Sequence, residues 1–162
     1  MLVVLIVMSY TAAANAINDV LDLETDKINR PSRPIPSKNL KKRTALKFSF
    51  TLFLVGSMLS LQLPTAAQFI SVVISMPLMI VYSTNLKSKP LIGNMVVSFI
   101  IGLSFIFCGT AFENIFPMWT PGVLAFSLTL IREIIKDIAD LEGDRIAKCK
   151  TYPIQYLSLI HI

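Results

Sequence analysis

Residues 48–86 have the sequence FSFTLFLVGSMLSLQLPTAAQFISVVISMPLMIVYSTNL, a run of 39 residues that contains no Asp, Glu, Lys or Arg. A helix needs about 20 apolar residues to cross the hydrocarbon core of a bilayer, so the run is long enough for two crossings. Pro64 stands near its middle and indicates a turn there, because proline cannot continue a helix. The run therefore predicts two membrane-spanning helices joined by a tight turn.

The composition of the whole chain favours a membrane protein over a soluble one. Of the 162 residues, 54% are hydrophobic and only 15% are charged, whereas a soluble domain carries about 25% charged residues. The net charge is +5, but the charges lie in short blocks between uncharged runs, so a basic face for nucleic acid is not expected. The two cysteines and one histidine show no spacing typical of a zinc site or a disulfide framework.

Further uncharged runs at residues 1–18, 90–112 and 114–131 bring the expected number of crossings to five. The predicted fold is an all-α transmembrane helix bundle with spans at roughly residues 1–16, 44–63, 66–82, 91–112 and 117–138. All 15 Lys and Arg then fall on one side of the membrane, which the positive-inside rule assigns to the cytoplasm. We expect a multi-pass protein of the cell membrane with these loops in the cytoplasm.

Two acidic clusters with the same spacing, Asp-x-x-Asp-x-x-x-Asp, lie at span ends on that side. The first comprises Asp19, Asp22 and Asp26, and the second comprises Asp137, Asp140 and Asp144. On a helix with 3.6 residues per turn, these offsets place three carboxylates on a face about 60° wide. Like charges this close repel one another, and unpaired carboxylates near a membrane are costly, so a cation is expected to neutralise them.

The clusters predict the kind of cation and the kind of substrate. Carboxylate oxygens without His or Cys suit Mg²⁺, which proteins often hold by a few carboxylates together with substrate phosphates. Magnesium at the two clusters would clamp a diphosphate as a leaving group, and an allylic diphosphate has an apolar tail that a helix bundle in lipid can accommodate. The alternative is a pair of solvated acidic loops balanced by neighbouring Lys and Arg.

Together these motifs resemble the UbiA superfamily of intramembrane prenyltransferases. Members carry an Asn-Asp-x-x-Asp-x-x-x-Asp motif, similar to Asn18–Asp26, and a second aspartate motif, similar to Asp137–Asp144. Between the two they carry a Tyr followed by a Lys, similar to Tyr82 and Lys87. The resemblance covers residues 1–156 and implies a bundle of about nine helices in the complete fold, of which this chain supplies five, truncated at both ends.

The resemblance implies a Mg²⁺ cofactor, with a prenyl diphosphate, a lipophilic acceptor and a lipid bilayer as partners and no nucleic acid, and it leaves open whether other proteins bind. The residues it implies for catalysis are Asp19, Asp22, Asp26, Asp137, Asp140, Asp144 and Tyr82, the six aspartates being the metal ligands. The residues expected to bind substrate are Asn15, Asn18, Arg30, Arg33, Lys87 and Lys136. The alternatives are positive-inside anchors for Arg30 and Arg33, and an interface tyrosine for Tyr82.

Within the family, the stretches Asp26–Ser37 and Arg132–Asp144 are similar to members that make archaeal-type diether lipids. This similarity implies transfer of a geranylgeranyl group from its diphosphate to the hydroxyl of geranylgeranylglyceryl phosphate. Chlorophyll synthases share a similar Arg-Pro-Ile-Pro-Ser stretch, so an aromatic or tetrapyrrole acceptor such as 4-hydroxybenzoate or chlorophyllide stays open. A divalent-cation transporter is the alternative from another class, although transporters place their acids near the bilayer midplane and not at span ends.

The last six residues, Leu157–Ile162, have the sequence LSLIHI, which the nucleotide run CTG TCT CTT ATA CAC ATC of a sequencing adapter would encode. We therefore expect residues 157–162 to be a non-native tail that follows a prenyltransferase domain at residues 1–156, and we leave His161 out of the functional argument.

Overall fold

The computed structural model describes residues 1–87, 89 and 91–139, and all regular elements within them are helical. Their order is α1 (Leu2–Leu21), α2 (Leu23–Asn29), α3 (Lys42–Ser60), α4 (Thr65–Leu86), α5 (Ile92–Ala111) and α6 (Trp119–Ala139). The all-α prediction is therefore confirmed, and a helix lies at each of the five predicted spans. Of the predicted site residues, Asp140 and Asp144 lie outside the described residues, as does the tail at 157–162.

Three of the described helices, α1, α4 and α5, are long and apolar enough to cross a membrane. Helices α3 and α6 are long enough but less apolar, since α3 begins with Lys42 and Arg43, and α6 carries Arg132 and Glu133 towards its end. Large apolar side chains such as that of Phe50, which is 71% exposed, lie on the outside of the bundle. Five crossings remain a prediction from the sequence.

Helices α1 and α3 pack closely and run antiparallel. The Ser49 hydroxyl donates a hydrogen bond of 2.7 Å to the carbonyl oxygen of Ala13, and the hydroxyls of Tyr10 and Ser57 are hydrogen-bonded at 2.9 Å. A Cβ on Gly56 would lie 2.6 Å from Cε1 of Tyr10, so only glycine leaves room for this ring. Small residues and interhelical hydrogen bonds are what hold helices together where surrounding lipid provides no hydrophobic driving force.

Helices α5 and α6 form a second antiparallel pair, and α4 lies between the two pairs, in contact with α1, α3 and α5. A Cβ on Gly102 would lie 2.9 Å from the carbonyl oxygen of Gly122, so the α5 and α6 backbones touch at this crossing. The core residues that the helices share are Val3, Ile6, Tyr10, Ala13, Phe53, Ala67 and Phe107. This arrangement gathers the ends of α1, α4 and α6 and the starts of α3 and α5 at one end of the bundle, hereafter the site end.

Candidate functional site

The first acidic cluster lies where α1 passes into α2. Helix α1 ends at Leu21, Asp22 stands between the helices with φ −82° and ψ 4°, and α2 begins at Leu23. The helix that the aspartate spacing assumes is thus interrupted at Asp22. Backbone hydrogen bonds of 2.8 Å nevertheless continue across it, from the Asp22 N–H to the carbonyl oxygen of Asn18 and from the Asp26 N–H to that of Asp22. The acidic residues therefore stay on consecutive turns.

Arg33 bridges the first and third aspartates of this cluster. Its Nη1 donates hydrogen bonds of 2.9 Å to Oδ1 of Asp19 and 2.7 Å to Oδ2 of Asp26. Burial alone would lower the pKa of Arg33, but the hydrogen bond to Asp26 and the charges of Asp26, Asp19 and Asp22 outweigh it and raise the pKa above its usual value. The guanidinium therefore remains charged, and it neutralises Asp26, whose side chain is buried.

The proline-rich loop between α2 and α3 carries Arg33 to this position. Ile35 is buried against Leu23 and Ala45, which anchors the loop beneath the start of α3. The Ser37 N–H donates a hydrogen bond of 3.0 Å to the carbonyl oxygen of Arg33 and closes a turn around it. Arg30, in contrast, is exposed at the start of the loop. The two arginines that the sequence treats alike thus occupy different environments.

Lys87 brings the end of α4 to the first cluster. Its Nζ forms an ion pair with Oδ2 of Asp22, a contact between residues 65 positions apart in the sequence. The last turn of α4, Tyr82–Leu86, is a wider π-helical turn, and the Lys87 N–H donates a hydrogen bond of 2.9 Å to the carbonyl oxygen of Tyr82. This turn sets the spacing between Tyr82 and Lys87, the tyrosine and lysine that lie between the two aspartate motifs in the sequence.

Tyr82, in the last turn of α4, is under the electrostatic influence of residues from both acidic clusters. The carboxylates of Asp22, Asp137 and Glu133 all lie close enough to its hydroxyl to act on it electrostatically. Asp22 belongs to the first cluster, whereas Asp137 is the described member of the second. One carboxylate from each cluster therefore acts on the same tyrosine, although the clusters are more than 100 residues apart in the sequence.

Asn94 contacts the second cluster and was not predicted from the sequence. Its Nδ2 donates a hydrogen bond of 2.8 Å to Oδ2 of Asp137. The sequence feature that indicates Asn94 is an amide near the start of the uncharged run 90–112, on the side of the membrane where the Lys and Arg residues are predicted to lie. On the same helix as Asp137, Glu133 forms an ion pair with the exposed Arg132, and Lys136 is half-buried in the last turn.

A cavity of about 540 Å³ opens beside the first cluster, between α1, the proline-rich loop and the start of α3. Asn15 and Asp19 form its polar side. The rest of its lining is largely apolar and consists of Ala12, Ala16, Pro34, Ile35, Leu40, Thr44, Ala45 and Phe48. A cleft with one polar side and apolar walls suits an amphipathic molecule with a polar head and a hydrocarbon chain.

The described residues offer oxygen donors that suit a divalent cation. Among them no three His, Cys, Asp or Glu side chains are placed to hold a metal together, so the first cluster alone is not a preformed three-carboxylate site. However, Oδ1 of Asn18 is buried and accepts no hydrogen bond from the described residues, and it lies one turn before Asp22. Magnesium usually takes only one or two carboxylates, with waters and substrate phosphates completing its shell, so these donors fit it.

Comparisons with known proteins point to one family. The model of the UbiA prenyltransferase family matches residues 1–158. A digeranylgeranylglyceryl phosphate synthase of Methanothermobacter thermautotrophicus is 40% identical over 151 residues, which cover 93% of this chain and 53% of the relative. The synthase of Methanosphaera stadtmanae is 42% identical over 146 residues, 90% of this chain and 53% of the relative.

A solved structure agrees with these relatives. It comes from work on structural and mechanistic insights into the biosynthesis of digeranylgeranylglyceryl phosphate synthase in membranes. It matches this chain with a TM-score of 0.80 at 37% identity, over 96% of this chain and 55% of the other. The chain thus spans about half the length of the curated relatives and the structure that it matches.

Proposed function

The chain belongs to the UbiA prenyltransferase family, and we propose that it forms part of an enzyme that transfers a geranylgeranyl group from its diphosphate to geranylgeranylglyceryl phosphate. The product would be a diether precursor of membrane lipids. The observation that carries the proposal is that Asp22 and Asp137, one carboxylate from each acidic cluster, both act electrostatically on Tyr82, while Lys87 forms an ion pair with Asp22. Family members generally use a divalent metal, and we propose Mg²⁺, with the prenyltransferase domain at residues 1–156.

Two kinds of side chain at the site end would bind the diphosphate: cations directly, and carboxylates through Mg²⁺. Arg33 and Lys87 lie against the first cluster and can form charge-assisted hydrogen bonds to phosphate oxygens, which are among the stronger polar contacts in proteins. Asn18, Asp19, Asp22, Asp26 and Asp137 are the described residues that would hold Mg²⁺. Magnesium, when bound, would supply positive charge that stabilises the departing diphosphate. Asp140 and Asp144 complete the proposed ligand set.

The proposed reaction breaks the allylic C–O bond, and the electron pair leaves with the diphosphate. The resulting allylic cation would lie near Tyr82, whose aromatic face can stabilise a positive charge. A lone pair of the acceptor hydroxyl oxygen forms the new ether bond, and the hydroxyl proton passes to a base. Arg33 and Lys87 would thus hold the leaving diphosphate, while the ring of Tyr82 would stabilise the cation beside it.

The cavity beside Asp19 is the proposed place for one of the two lipid substrates. Asn15 and Asp19 form its polar side, and its apolar walls can accept an isoprenoid chain. The family and the three apolar helices make this a multi-pass membrane protein. We place the site end in the cytoplasm, because the Lys and Arg residues among the described residues lie in the loops and helix ends on that side.

The proposal is tested by incubating the protein in lipid nanodiscs with geranylgeranyl diphosphate, Mg²⁺ and a panel of acceptors. Both the 162-residue chain and the longest reading frame that contains it are assayed, since the chain spans about half the length of the relatives that it matches. We expect the longer protein to release diphosphate and to alkylate geranylgeranylglyceryl phosphate, detected by mass spectrometry. Product from 4-hydroxybenzoate or chlorophyllide alone would reassign the acceptor. Metal flux without diphosphate release would refute prenyl transfer.

A further inference from the structure

We infer that Asn94 is a positioning residue that orients Asp137 towards the metal, an inference that rests on the proposed function. Asn94 lies in the first turn of α5, and Asp137 lies near the end of the antiparallel helix α6. The hydrogen bond from Nδ2 of Asn94 to Oδ2 of Asp137 measures 2.8 Å and is partly buried. It is a direct link between two helices at the level of the proposed diphosphate site.

The backbone around Asn94 packs closely against the Tyr82–Lys87 turn. A Cβ on the preceding residue, Gly93, would lie 2.9 Å from the carbonyl oxygen of Leu86 and 3.2 Å from that of Lys87. The carbonyl oxygen of Asn94 also accepts a hydrogen bond of 2.6 Å from the Ser98 hydroxyl. The amide of Asn94 therefore presents its N–H from a fixed position, and it ties Asp137 to the element that carries Lys87.

The chemistry of the donor explains why an amide suits this position. A neutral N–H fixes the rotamer of Asp137 and leaves its negative charge in place, whereas a Lys or Arg donor would offset that charge. The hydrogen bond engages one lone pair of Oδ2, and a carboxylate has about four acceptor positions, so this bond does not exhaust the capacity of Asp137 to bind a cation. Partners that orient metal-binding carboxylates in this way typically contribute about 10- to 100-fold to metal affinity.

The test measures the binding of Mn²⁺, as a paramagnetic substitute for Mg²⁺, to the 162-residue chain in nanodiscs by electron paramagnetic resonance. Asn94→Leu keeps the approximate size of the side chain but removes the donor, and we expect it to raise the Mn²⁺ dissociation constant about 10-fold or more. Asn94→Gln, which keeps the amide, should recover much of this loss. Asn114→Leu is the matched control, because Asn114 is exposed beyond the opposite end of α5.

A double-mutant cycle separates positioning from a general effect on the fold. In the Asp137→Asn background, Asn94→Leu should change Mn²⁺ affinity by less than about 2-fold, because the carboxylate that Asn94 orients is gone. An equal loss in both backgrounds would overturn the inference, as would wild-type affinity in Asn94→Leu or no Mn²⁺ binding by the wild type. Should Asn94→Leu fail to fold, Asn94→Ser, whose side chain is too short to keep the hydrogen bond to Asp137, gives the same comparison in both backgrounds.

The Mn²⁺ binding measurement depends neither on the identity of the acceptor nor on enzymatic turnover, so it can fail separately from the proposed function. Coupled Mn²⁺ affinities of Asn94 and Asp137, together with no release of diphosphate from geranylgeranyl diphosphate, would uphold the positioning role and refute prenyl transfer. Diphosphate release together with uncoupled Mn²⁺ affinities would support prenyl transfer and refute the positioning role of Asn94.

Discussion

Replacing Arg33 by methionine should destabilise the metal-free protein, because Arg33 holds two aspartates of the first cluster together. Its side chain is 32% exposed, whereas those of its partners Asp19 and Asp26 are 39% and 9% exposed. Breaking a fully buried ion pair costs about 3–5 kcal/mol, and an exposed pair contributes about 0–1 kcal/mol. The Asp26 contact lies near the first limit and the Asp19 contact near the second, so we expect Arg33→Met to cost about 2–3 kcal/mol.

The expected loss is large enough to measure by thermal unfolding in detergent. For a protein of this size, 1 kcal/mol corresponds to about 2–4 °C in melting temperature, so Arg33→Met should melt about 5–10 °C below the wild type. Arg30→Met is the matched control, since Arg30 lies in the same loop but is exposed. It removes the same charge and the same number of atoms without breaking the bridge to Asp26.

Magnesium should reduce the difference between Arg33→Met and the wild type. Without the guanidinium, the Asp19 and Asp26 carboxylates repel each other and gain more from a divalent cation than they do in the wild type. Saturating Mg²⁺ is therefore expected to raise the melting temperature of Arg33→Met more than that of the wild type. Equal melting temperatures for Arg33→Met and Arg30→Met, with and without Mg²⁺, would show that the Arg33 bridge contributes nothing and would refute this reasoning.

Substitutions at three further positions test other parts of the site end. Gly93→Ala should lower the free energy of unfolding by about 1–3 kcal/mol in chemical denaturation, because the new Cβ would meet the carbonyl oxygen of Leu86 at 2.9 Å. Lys87→Gln should raise the KM for the prenyl diphosphate about 10-fold or more in steady-state assays, whereas an unchanged KM would remove Lys87 from the diphosphate site. Tyr82→Leu should lower kcat about 3- to 30-fold while Tyr82→Phe retains most of it, if the ring stabilises the allylic cation; equal losses would assign the role to the hydroxyl instead.

The helices and the location of the site could be predicted because their signals are local. The uncharged run 48–86 is long enough for two spans, and Pro64 marks the turn between them, which the structure places between Ser60 and Thr65. The aspartate spacing identifies residues on neighbouring turns whether or not the helix is continuous. The break at Asp22 had no such signal in the sequence, since no glycine or proline stands there. In the structure the break is slight, because the backbone hydrogen bonds on both sides of it are kept.

The contacts between distant residues could not be predicted in the same way. A bundle in lipid must satisfy its polar groups internally, so an amide in an uncharged span is expected to find a partner within the protein. That rule predicts a hydrogen bond for Asn94 but does not select Asp137, which lies 43 residues away, because the register of α5 against α6 decides it. The register depends in turn on the close approach of the two backbones at Gly102 and Gly122. Likewise, Arg33 and Arg30 look equivalent in the sequence, and only the packing of the loop on α3 separates the arginine that bridges two aspartates from the one that faces solvent.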